Sequence, residues 1–439
     1  VSKNFSKINK GIMTGDVIKN FIDEDIIISK KKISDDQIQP ASLDLRLGVK
    51  AWRVRASFLP GPDKKVKEKI KKLSMHEIDL SKGCVFEKGC VYIAQIYEKL
   101  NLTDNLSASS NPKSSTGRLD IFTRLISDYA VEFETVPRGY SGPLYIEISP
   151  RTFSILARSG SKLNQIRFRN SNEVLDDKET RNLHLKSKLL SGYSGIIDIR
   201  DGIPLSLDLE GNKDGLVGYR ARKNTSLIDI DRISEYKKES FWEKITIKDV
   251  SNHGLVLNPD EFYILSSKEF VSIPKKFAAE MRAYDTRVGE FRAHYAGFFD
   301  PGFGLEELGA KPTRAVLEVR SHDVPFLVEE NQTVCRLVYE KMYSEPSKLY
   351  GINGVISHYQ SQGLQLAKHF YWNMINKSKS SVMETYSSAD LTFNRGKGSW
   401  LFASNGQKYL DFSSGVAVTS LGHCHPHLVK SIKQQAEKL

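Results

Sequence analysis

The chain has 439 residues, of which 40% are hydrophobic and 27% charged, a balance typical of a globular protein with roughly two to three domains. No apolar run approaches the ~18 residues of a membrane-spanning helix, and four scattered cysteines are too few for a disulfide framework, so we expect a cytoplasmic protein without a membrane partner. The net charge of +11 suits a small polyanionic ligand. We expect no nucleic-acid partner, because the densest basic run, KKVKEKIKK at 64–72, is typical of a solvated helix face.

Residues 1–15, which we expect to be flexible, are followed by two segments that repeat one another. The run PASLDL at 40–45 returns as PLSLDL at 204–209, and VYIA at 91–94 returns as FYIL at 262–265. Two pairs of charged residues fall in the same order, Arg118 with Arg287 and Glu147 with Glu318. Four ordered matches at nearly constant spacing predict a duplicated module, which we place at 16–170 and 171–368.

Each module is predicted to be mainly β, with few short helices. Alternating runs such as PLYIEI at 143–148 and RAVLEVR at 314–320 lie between clusters of Gly, Pro, Ser and Asp, which is typical of the short strands of a barrel or sandwich. A helical pattern is found only near residues 16–23 and 63–73. Successive strand residues face opposite ways, so an inward glutamate in either run has to be hydrogen-bonded or used in chemistry.

The run NPKSSTGRL at 111–119 combines small hydroxylated residues with Lys113 and Arg118. Backbone N–H groups, hydroxyls and flanking cations are what a turn needs to bind phosphate oxygens through charge-assisted hydrogen bonds. By itself the run is also compatible with a solvated loop. The second module contains a different constellation, AHYAGFFDPGF at 293–303, ahead of the strand that carries Glu318.

Together these motifs resemble those of deoxycytidine triphosphate deaminases. FFDPGFG followed by VLEV resembles the family's base-binding hairpin and catalytic strand, KSSTGR its phosphate motif, and IQPASLDLRLG its N-terminal motif. SHYQSQG at 357–363 is similar to the family's C-terminal lid, which usually has lysine where His358 stands. The resemblance covers roughly residues 16–368 and implies two tandem dUTPase-like modules, each a distorted β-barrel or jelly roll.

The resemblance implies a role for each matching residue. Glu318 would be the general base for a water that attacks C4 of the cytosine of dCTP, giving dUTP, with Ser114 and Arg118 positioning that water. Mg²⁺ would be carried by the triphosphate rather than by a protein cage. The implied substrate-binding residues are Lys113, Ser114, Ser115, Thr116, Gly117 and Arg118 for the triphosphate, Asp300, Val316, Leu317 and Glu318 for sugar and base, and Tyr350, His358 and Gln362 for closure.

The sequence also favours a zinc-independent reaction on chemical grounds. Zinc deaminases activate water with residues of H-x-E and P-C-x-x-C motifs, and this sequence contains neither. We therefore expect no zinc and no protein ligands for a metal. A zinc-free route needs a carboxylate and fixed hydrogen-bond donors, which the Glu, Ser and Arg set supplies.

The two modules depart from the family pattern in complementary ways. Module one keeps the serines but has VPRGYSG at 136–142 in place of the Asp-Pro-Gly hairpin, whereas module two has Ala283 and Tyr284 in place of the serines. The family builds its sites between subunits, so the loop of one module is expected to serve the pocket of the other. Glu147 and Arg287 are then secondary candidates, with a hydrogen-bonded strand glutamate the favoured interpretation of Glu147. The resemblance also implies a homo-oligomer, a trimer.

The composition changes towards the C-terminus. Residues 369–390 are polar and are interpreted as a linker. Residues 391–439, with FNRGKG, YLDFSSG and LGHCHP, resemble the beginning of acetylornithine-type aminotransferases, which use pyridoxal phosphate. The family's cofactor domain and Schiff-base lysine have no counterpart in these residues, so we expect no bound pyridoxal phosphate. The same resemblance explains His423, Cys424 and His425 without a metal.

Three functions remain open on the sequence alone. A dCTP deaminase is favoured. A dUTP diphosphatase, or a bifunctional deaminase and diphosphatase, belongs to the same superfamily. A nucleotide-binding regulator without turnover is a third interpretation, because each module lacks part of the motif set.

Overall fold

The computed structural model describes residues 9–193, 195–250, 254–282, 292–293, 297–308, 311, 313–321, 323–351, 359–360, 363–371, 393–403, 407–412 and 418–438. The chain divides into two compact units, Val1–Trp372 and Asn373–Leu439. The first unit contains both sequence modules. No helix among the described residues is long and apolar enough to cross a membrane. Five residues discussed above, Ala283, Tyr284, Arg287, His358 and Gln362, lie outside the described residues.

Module one is built of strands with three short helices. Thr14 caps the first helix by accepting a hydrogen bond from the Val17 backbone N–H (3.4 Å). The helices are α1 (Gly15–Asp23), α2 (Val66–Leu73) and α3 (Ser114–Gly117), with 3₁₀ turns at Asp35–Gln37 and Leu80–Lys82. The strands are β1 (Ile27–Ser29), β2 (Leu43–Val54), β3 (Ser74–Asp79), β4 (Cys84–Phe86), β5 (Val91–Asn101), β6 (Ser107–Pro112), β7 (Ile121–Ser127), β8 (Thr135–Val136), β9 (Ser141–Pro150), β10 (Ile155–Ala157) and β11 (Lys162–Arg169).

The main sheet of module one has the strand order β7-β9-β5-β2-β11-β6-β8, with β1 added on β5 and β3 on β2. The order is far from sequential, so strands distant in the chain become neighbours. Leu45, Ile96 and Ile146 from three central strands are almost fully buried in one core. Burial of such side chains contributes roughly 1.5–3 kcal/mol each.

Module two repeats this organisation with shorter strands. It begins with α4 (Asp177–Ser187), and 3₁₀ turns lie at Lys238–Ser240 and Glu306–Leu308. The strands are β12 (Leu190–Ser191), β13 (Ile203–Ser206), β14 (Leu216–Ala221), β15 (Ile228–Asp229), β16 (Trp242–Thr246), β17 (Leu255–Leu257), β18 (Tyr263–Val271), β19 (Phe277–Arg282), β20 (Arg292–Ala293), β21 (Phe298–Phe299), β22 (Thr313–Arg320), β23 (Phe326–Val328) and β24 (Thr333–Lys341). Most of them form sheets of order β16-β14-β18-β22-β20, β13-β24-β19-β21 and β17-β23, with β12 on β18. β15 pairs instead with β10 of module one, in a sheet of order β15-β10-β4.

The prediction of a mainly β fold with few short helices is confirmed. The restriction of helices to two stretches of the first module was wrong, because α4 was missed. Its signal is a capping box, in which Asp176 accepts from the Glu179 N–H (2.7 Å) and Glu179 accepts from the Asp176 N–H (3.2 Å). The helix has a weak apolar stripe, and periodicity therefore did not reveal it.

The duplication is visible in strand register. Ile93 of β5 lies opposite Glu147 of β9, and Ile264 of β18 lies opposite Glu318 of β22. The tyrosine before each isoleucine also repeats its hydrogen bond, since the Tyr92 hydroxyl accepts from the Glu87 N–H (3.1 Å) and that of Tyr263 from the Asn258 N–H (3.0 Å). The two glutamates thus occupy equivalent positions.

A buried arginine joins the two modules. Arg167 of β11 is fully buried, and its guanidinium donates to the carbonyl oxygens of Ala279 (3.1 Å) and Phe299 (2.9 Å) and to the Asp300 carboxylate (3.0 Å). Its guanidinium carbon also lies 4.0 Å from the centroid of the Phe298 ring. One side chain of module one therefore holds both edges of the β21 hairpin of module two.

The second unit is small. It contains a three-stranded sheet of β25 (Phe393–Lys397), β26 (Trp400–Ala403) and β27 (Lys408–Leu410), followed by helix α5 (Pro426–Ala436). The ring of His423 lies 2.7 Å from an Asp411 carboxylate oxygen, and the backbones of Gly398 and His423 exchange hydrogen bonds (3.0 and 2.7 Å). These contacts give the histidine a structural partner within the unit.

We expect Arg167→Met to lower the free energy of unfolding by about 3 kcal/mol, because it leaves a buried carboxylate and two carbonyls without their donor. Urea unfolding followed by fluorescence measures the change. Arg200→Met, which removes an exposed arginine paired with Asp198, should change stability by less than about 0.5 kcal/mol. Equal stability of Arg167→Met and the wild type would contradict the proposed importance of this contact.

Candidate functional site

A cavity of about 320 Å³ lies between the two modules of the first unit, a size typical of a small-molecule site. Both modules contribute to its wall. Module one provides Asp36, Gln39, Asp44, Pro112, Lys113, Ser114, Ser115, Arg118, Lys162 and Gln165. Module two provides Ile233, Met281, Gly297, Phe298, Phe299, Asp300, Phe303, Val316, Glu318 and Tyr350, together with Tyr359 and Lys368 near its end.

The Ser/Thr-rich run forms one wall. Lys113 follows β6 and its N–H donates to the Leu163 carbonyl (2.9 Å), which fixes the start of α3. Ser114 and Ser115 line the cavity as the sequence predicted, whereas Thr116 and Gly117 do not. The Thr116 hydroxyl is buried and donates to the same Leu163 carbonyl (2.7 Å). The Thr116 hydroxyl is thus used within module one, and the predicted roles of Thr116 and Gly117 in binding the triphosphate stay predictions that concern their backbone N–H groups.

The Asp-Pro-Gly hairpin forms the opposite wall. Gly304 has φ +62°, and a Cβ there would collide with the Val271 carbonyl, so the turn requires glycine. The rings of Phe299 and Phe303 pack edge to face at 5.1 Å, and Phe303 lies 5.6 Å from the ring of Tyr350. The hairpin thus presents a rigid aromatic surface to the cavity.

Asp300 lies at the tip of this hairpin and lines the cavity. Burial raises the pKa of its carboxyl, and the Arg167 guanidinium opposes that rise. The ion pair to Arg167 uses one carboxylate oxygen. Asp300 therefore has an oxygen left for a ligand or for further hydrogen bonding.

Glu318 lies on β22 with its side chain at the cavity and only 7% exposed. Burial raises the pKa of its carboxyl from 4.5 to about 8; the positive charge of Arg118 opposes the rise and the negative charge of Asp120 adds to it. Val316 lies on the same face and also lines the cavity. The side chain of Leu317 points the other way, into the core of module two, so its predicted contact with substrate stays a prediction that concerns its backbone.

Arg118 of module one enters a pocket made by module two. Its guanidinium donates to the Gln365 carbonyl (2.9 Å) and lies 3.9 Å from the centroid of the Tyr359 ring. Arg118 is 4% exposed, so its charge acts on Glu318 with little screening. The buried cation therefore faces the catalytic candidate rather than open solvent.

A second ion pair crosses the modules next to Glu318. Asp120, two residues after Arg118, is paired with Arg320, two residues after Glu318. Arg320 also contacts the Thr152 hydroxyl (3.0 Å), which in turn donates to Asp120 (2.5 Å). This network fixes the register between the loop of module one and strand β22.

Glu147, the equivalent of Glu318, has a different environment. It is 1% exposed and is paired with Arg124 on the neighbouring strand β7 (2.7 Å). Arg124 in turn donates to Ser57 (2.7 Å) and lies 3.5 Å from the centroid of the Phe133 ring. Glu147 is thus held in an ion pair and does not line the cavity.

Several cavity residues were not among the predicted site residues, notably Asp44, Lys162, Tyr359 and Lys368. Asp44 stands in the repeated PASLDL run and is ion-paired with Lys113, so the repeat contained a signal for it. Tyr359 is part of the lid motif SHYQSQG at 357–363, so the sequence contained a signal for it as well. The two lysines have no local motif, because only the tertiary fold brings them to the cavity.

One group of acidic residues among the described positions has the spacing of a cation site. Oxygen atoms of Asp208, Glu210 and Glu330 lie within 4.8 Å of one another. Arg314 is paired with Asp208, and Lys268 is paired with both glutamates. These two cations already offset most of the charge of the three carboxylates, and we interpret the group as an ion-pair network.

Comparisons with known proteins match the two units separately. Residues 9–172 and 176–370 match the N-terminal and C-terminal domains of 2′-deoxycytidine 5′-triphosphate deaminase, and residues 382–439 match class-III aminotransferases. The crystal structure of 2′-deoxycytidine 5′-triphosphate deaminase from Agrobacterium tumefaciens is 50% identical and superposes with a TM-score of 0.73, covering 77% of this chain and 97% of that chain.

The C-terminal segment is similar to curated acetylornithine aminotransferases. Those of Agrobacterium fabrum and Brucella melitensis are 59% and 57% identical over 58 residues, which is 13% of this chain and 14% of each relative. Acetylornithine aminotransferase 1 of Bradyrhizobium diazoefficiens is 52% identical over 66 residues, 15% of this chain and 16% of the relative. The chain thus spans about a seventh of the length of these relatives. The predicted resemblance to both families is confirmed.

We expect Glu318→Gln to become more stable relative to the wild type as the pH rises. The folded-state pKa of about 8 lies above the ordinary 4.5, so the folded protein holds a proton that the unfolded chain releases between these values. Wild-type stability therefore falls across that window, and that of the glutamine variant does not. Urea unfolding at pH 5 and pH 8 should show a relative gain of at least about 1 kcal/mol for the variant.

Glu147→Gln is the matched control, because it removes an ion pair with Arg124 at the equivalent position. It should lower stability at both pH values without this gain. A stability difference for Glu318→Gln that is independent of pH would contradict a raised pKa.

Proposed function

Because the chain belongs to the 2′-deoxycytidine 5′-triphosphate deaminase family, we propose that it hydrolyses dCTP to dUTP and ammonia in the cavity between its modules. The observation that carries this proposal is the meeting of Glu318 from one module with Arg118 and Ser114 from the other, at the wall of one cavity. That set supplies a proton acceptor, a buried cation and a hydroxyl without a metal.

Glu318 acts as general base and then as proton donor in this proposal. Its carboxylate takes a proton from water while the water oxygen bonds to C4 of cytosine, and it passes the proton towards N3. Glu318 then takes the remaining proton from the new C4 hydroxyl and passes it to N4. The C4–N4 bond breaks as the C4=O carbonyl forms, and the amino group leaves as ammonia. A carboxyl whose pKa lies near 8 suits both directions of transfer close to neutral pH.

Arg118 and Ser114 support this chemistry from module one. The buried guanidinium favours the ionised form of Glu318, which is the form that accepts the proton. Its contacts to Gln365 and Tyr359 hold it in place. The Ser114 hydroxyl, which lines the cavity, offers a donor or acceptor to orient the attacking water.

The hairpin wall suits the nucleoside. Phe298, Phe299 and Phe303 provide aromatic faces against which a pyrimidine ring can pack, and the second oxygen of Asp300 is an acceptor for a sugar hydroxyl. The contribution of Leu317 is limited to its backbone, because its side chain lies in the core. Val316 and Tyr350 complete this wall.

The cavity fits a magnesium ion that arrives on the triphosphate. Mg²⁺ requires near-octahedral oxygen ligands, and the three aspartates at the cavity are already paired, Asp36 and Asp44 with lysines and Asp300 with Arg167. The cavity carboxylates are not among the described groups that have the spacing of a metal cage. One buried oxygen of Asp44 makes no hydrogen bond within the described structure and fits a water of the hydrated ion. The ion would neutralise phosphate charge.

The assembly and the C-terminal segment enter the proposal in limited ways. A homo-oligomer, a trimer in the cytoplasm, remains our proposal, and Arg118 and Glu318 line the cavity within one chain. We propose no transamination, since the aminotransferase match covers only residues 382–439. A dUTP diphosphatase or bifunctional activity would be recognised by dUMP among the products.

We expect Glu318→Gln to reduce kcat for ammonia release from dCTP by at least about a hundredfold, because glutamine cannot accept the proton. The affinity for dCTP, measured by calorimetry, should stay within about threefold, since the shape is kept. Glu147→Gln is the matched control and should retain activity within about tenfold of the wild type. Activity of Glu318→Gln within about tenfold of wild type would exclude it as the general base.

We expect that mixing Arg118→Ala protein with Glu318→Gln protein restores no activity. Each variant should be at least about a hundredfold impaired, and both residues line the same cavity within one chain, so no mixed assembly regains an intact pair. The mixture is assayed for ammonia release after co-refolding. Mixing either variant with wild type should give activity in proportion to the wild-type fraction. Recovery in the double mixture would show that the site joins modules of different chains.

A further inference from the structure

Three lysines lie at the cavity, Lys113, Lys162 and Lys368. The first two are already paired with carboxylates. Lys113 contacts Asp44, and Lys162 contacts Asp36 at 2.5 Å. Each of these ion pairs reduces the charge that its lysine presents to an incoming anion.

Lys368 differs, because no carboxylate among the described residues lies within ion-pair distance of its ammonium. The charged groups that act on the pKa of its ammonium come from four elements. They are Lys113 after β6, Lys162 of β11, Asp44 of β2 and Asp231 after β15, and Tyr359 lies beside its backbone. Asp44 is paired with Lys113, and Asp231 is paired with Arg158. Neither carboxylate therefore balances the positive charge of Lys368.

The fold holds Lys368 firmly in that position. Its N–H donates to the Tyr359 hydroxyl (3.3 Å) and its carbonyl accepts from the Ser234 N–H (3.0 Å). Phe370, two residues on, packs against Trp242 with ring centroids 5.9 Å apart. The backbone of Lys368 is therefore fixed at the cavity wall. Partial burial of its ammonium there costs desolvation free energy, which a fully solvated lysine does not lose.

We propose that Lys368 binds the terminal phosphates of the nucleotide substrate and thereby selects triphosphates over monophosphates. The inference rests on the proposed function, since it takes dCTP as the ligand. A polyphosphate supplies the negative charge that the cluster of three lysines lacks, and an ammonium contacts phosphate as a point charge from any direction. Lys113 and Lys162 present charges that their carboxylate partners partly balance. Lys368 presents a charge that no carboxylate among the described residues pairs with.

Protonation of Lys368 should make nucleotide binding depend on pH. Burial lowers the pKa of Lys368 to about 8, and the charges of Lys113 and Lys162 lower it while those of Asp44 and Asp231 raise it. The amine is therefore charged below about pH 8 and neutral above. A bound polyphosphate favours the charged form, so binding takes up a proton near pH 8 and weakens as the pH rises further.

Glu318 titrates in the same range with the opposite requirement. Its carboxyl, with a pKa of about 8, has to lose a proton to act as base. We therefore expect kcat/KM for dCTP to follow a bell centred near pH 8, with an acid limb from Glu318 and an alkaline limb from Lys368.

Three variants test this with Mg²⁺ and dCTP between pH 6.5 and 9.5. Lys368→Met should raise KM for dCTP about tenfold at pH 7.5, leave kcat within about twofold, and leave the affinity for dCMP unchanged. Lys368→Arg should restore KM and move the alkaline limb of kcat/KM out of this range, because arginine stays charged. Lys244→Met, an exposed lysine on β16, is the control and should match the wild type.

The outcomes separate this inference from the proposed function. Absence of ammonia release by the wild type would defeat the proposed function, and calorimetric affinities of dCTP for wild type and Lys368→Met would still test the lysine. A dCTP affinity or KM of Lys368→Met within about twofold of wild type would overturn the inference. So would a pH profile of kcat/KM for Lys368→Arg that falls at alkaline pH in the same way as that of the wild type. An equal loss of dCMP affinity in Lys368→Met would also overturn it, since a distorted pocket would then explain the defect.

Discussion

The site depends on one buried arginine. Arg167 leaves the sheet of module one and binds the backbone on both edges of the hairpin of module two, as well as the Asp300 carboxylate. Removing an arginine from water is costly, and these three acceptors offset much of that cost. The arginine therefore specifies one relative position of the modules. The cavity, the aromatic wall and the approach of Arg118 to Glu318 all follow from that position.

The duplicated strands β9 and β22 carry equivalent glutamates in different environments, and the environment decides which of them can act in chemistry. Glu147 and Glu318 occupy equivalent register positions, but Arg124 neutralises the first within its own module. Glu318 faces a cavity, and burial keeps its proton bound at neutral pH because its pKa is raised to about 8. Its cation comes from the other module and is shared with the Tyr359 ring and the Gln365 carbonyl. A carboxyl that is held less completely by its neighbours is available for proton transfer.

Local patterns were sufficient for the repeat, the mainly β fold and the strand that carries Glu318, because these depend on short-range periodicity and spacing. Strand alternation predicts that the Leu317 side chain points away from that of Glu318, as the structure shows, and its predicted substrate contact therefore concerns its backbone. Helix α4 was missed because its apolar stripe is weak, although its capping box was readable. Lys162 and Lys368 reach the cavity through pairings between distant segments, such as the hydrogen bond from the Ser234 N–H to the Lys368 carbonyl, and no local sequence signal encodes these.

The covalent linkage of the two modules has a consequence for how the site responds to dilution. Its two walls belong to one chain, and their encounter is intramolecular, with an effective concentration set by the connecting segment rather than by the amount of protein. Such a site stays assembled at concentrations where separate subunits would part. Linkage also removes the need for both modules to be competent, so each can lose the half of the motif set that its neighbour supplies. The VPRGYSG run at 136–142 and the ion-paired Glu147 are what such relaxed selection would leave behind.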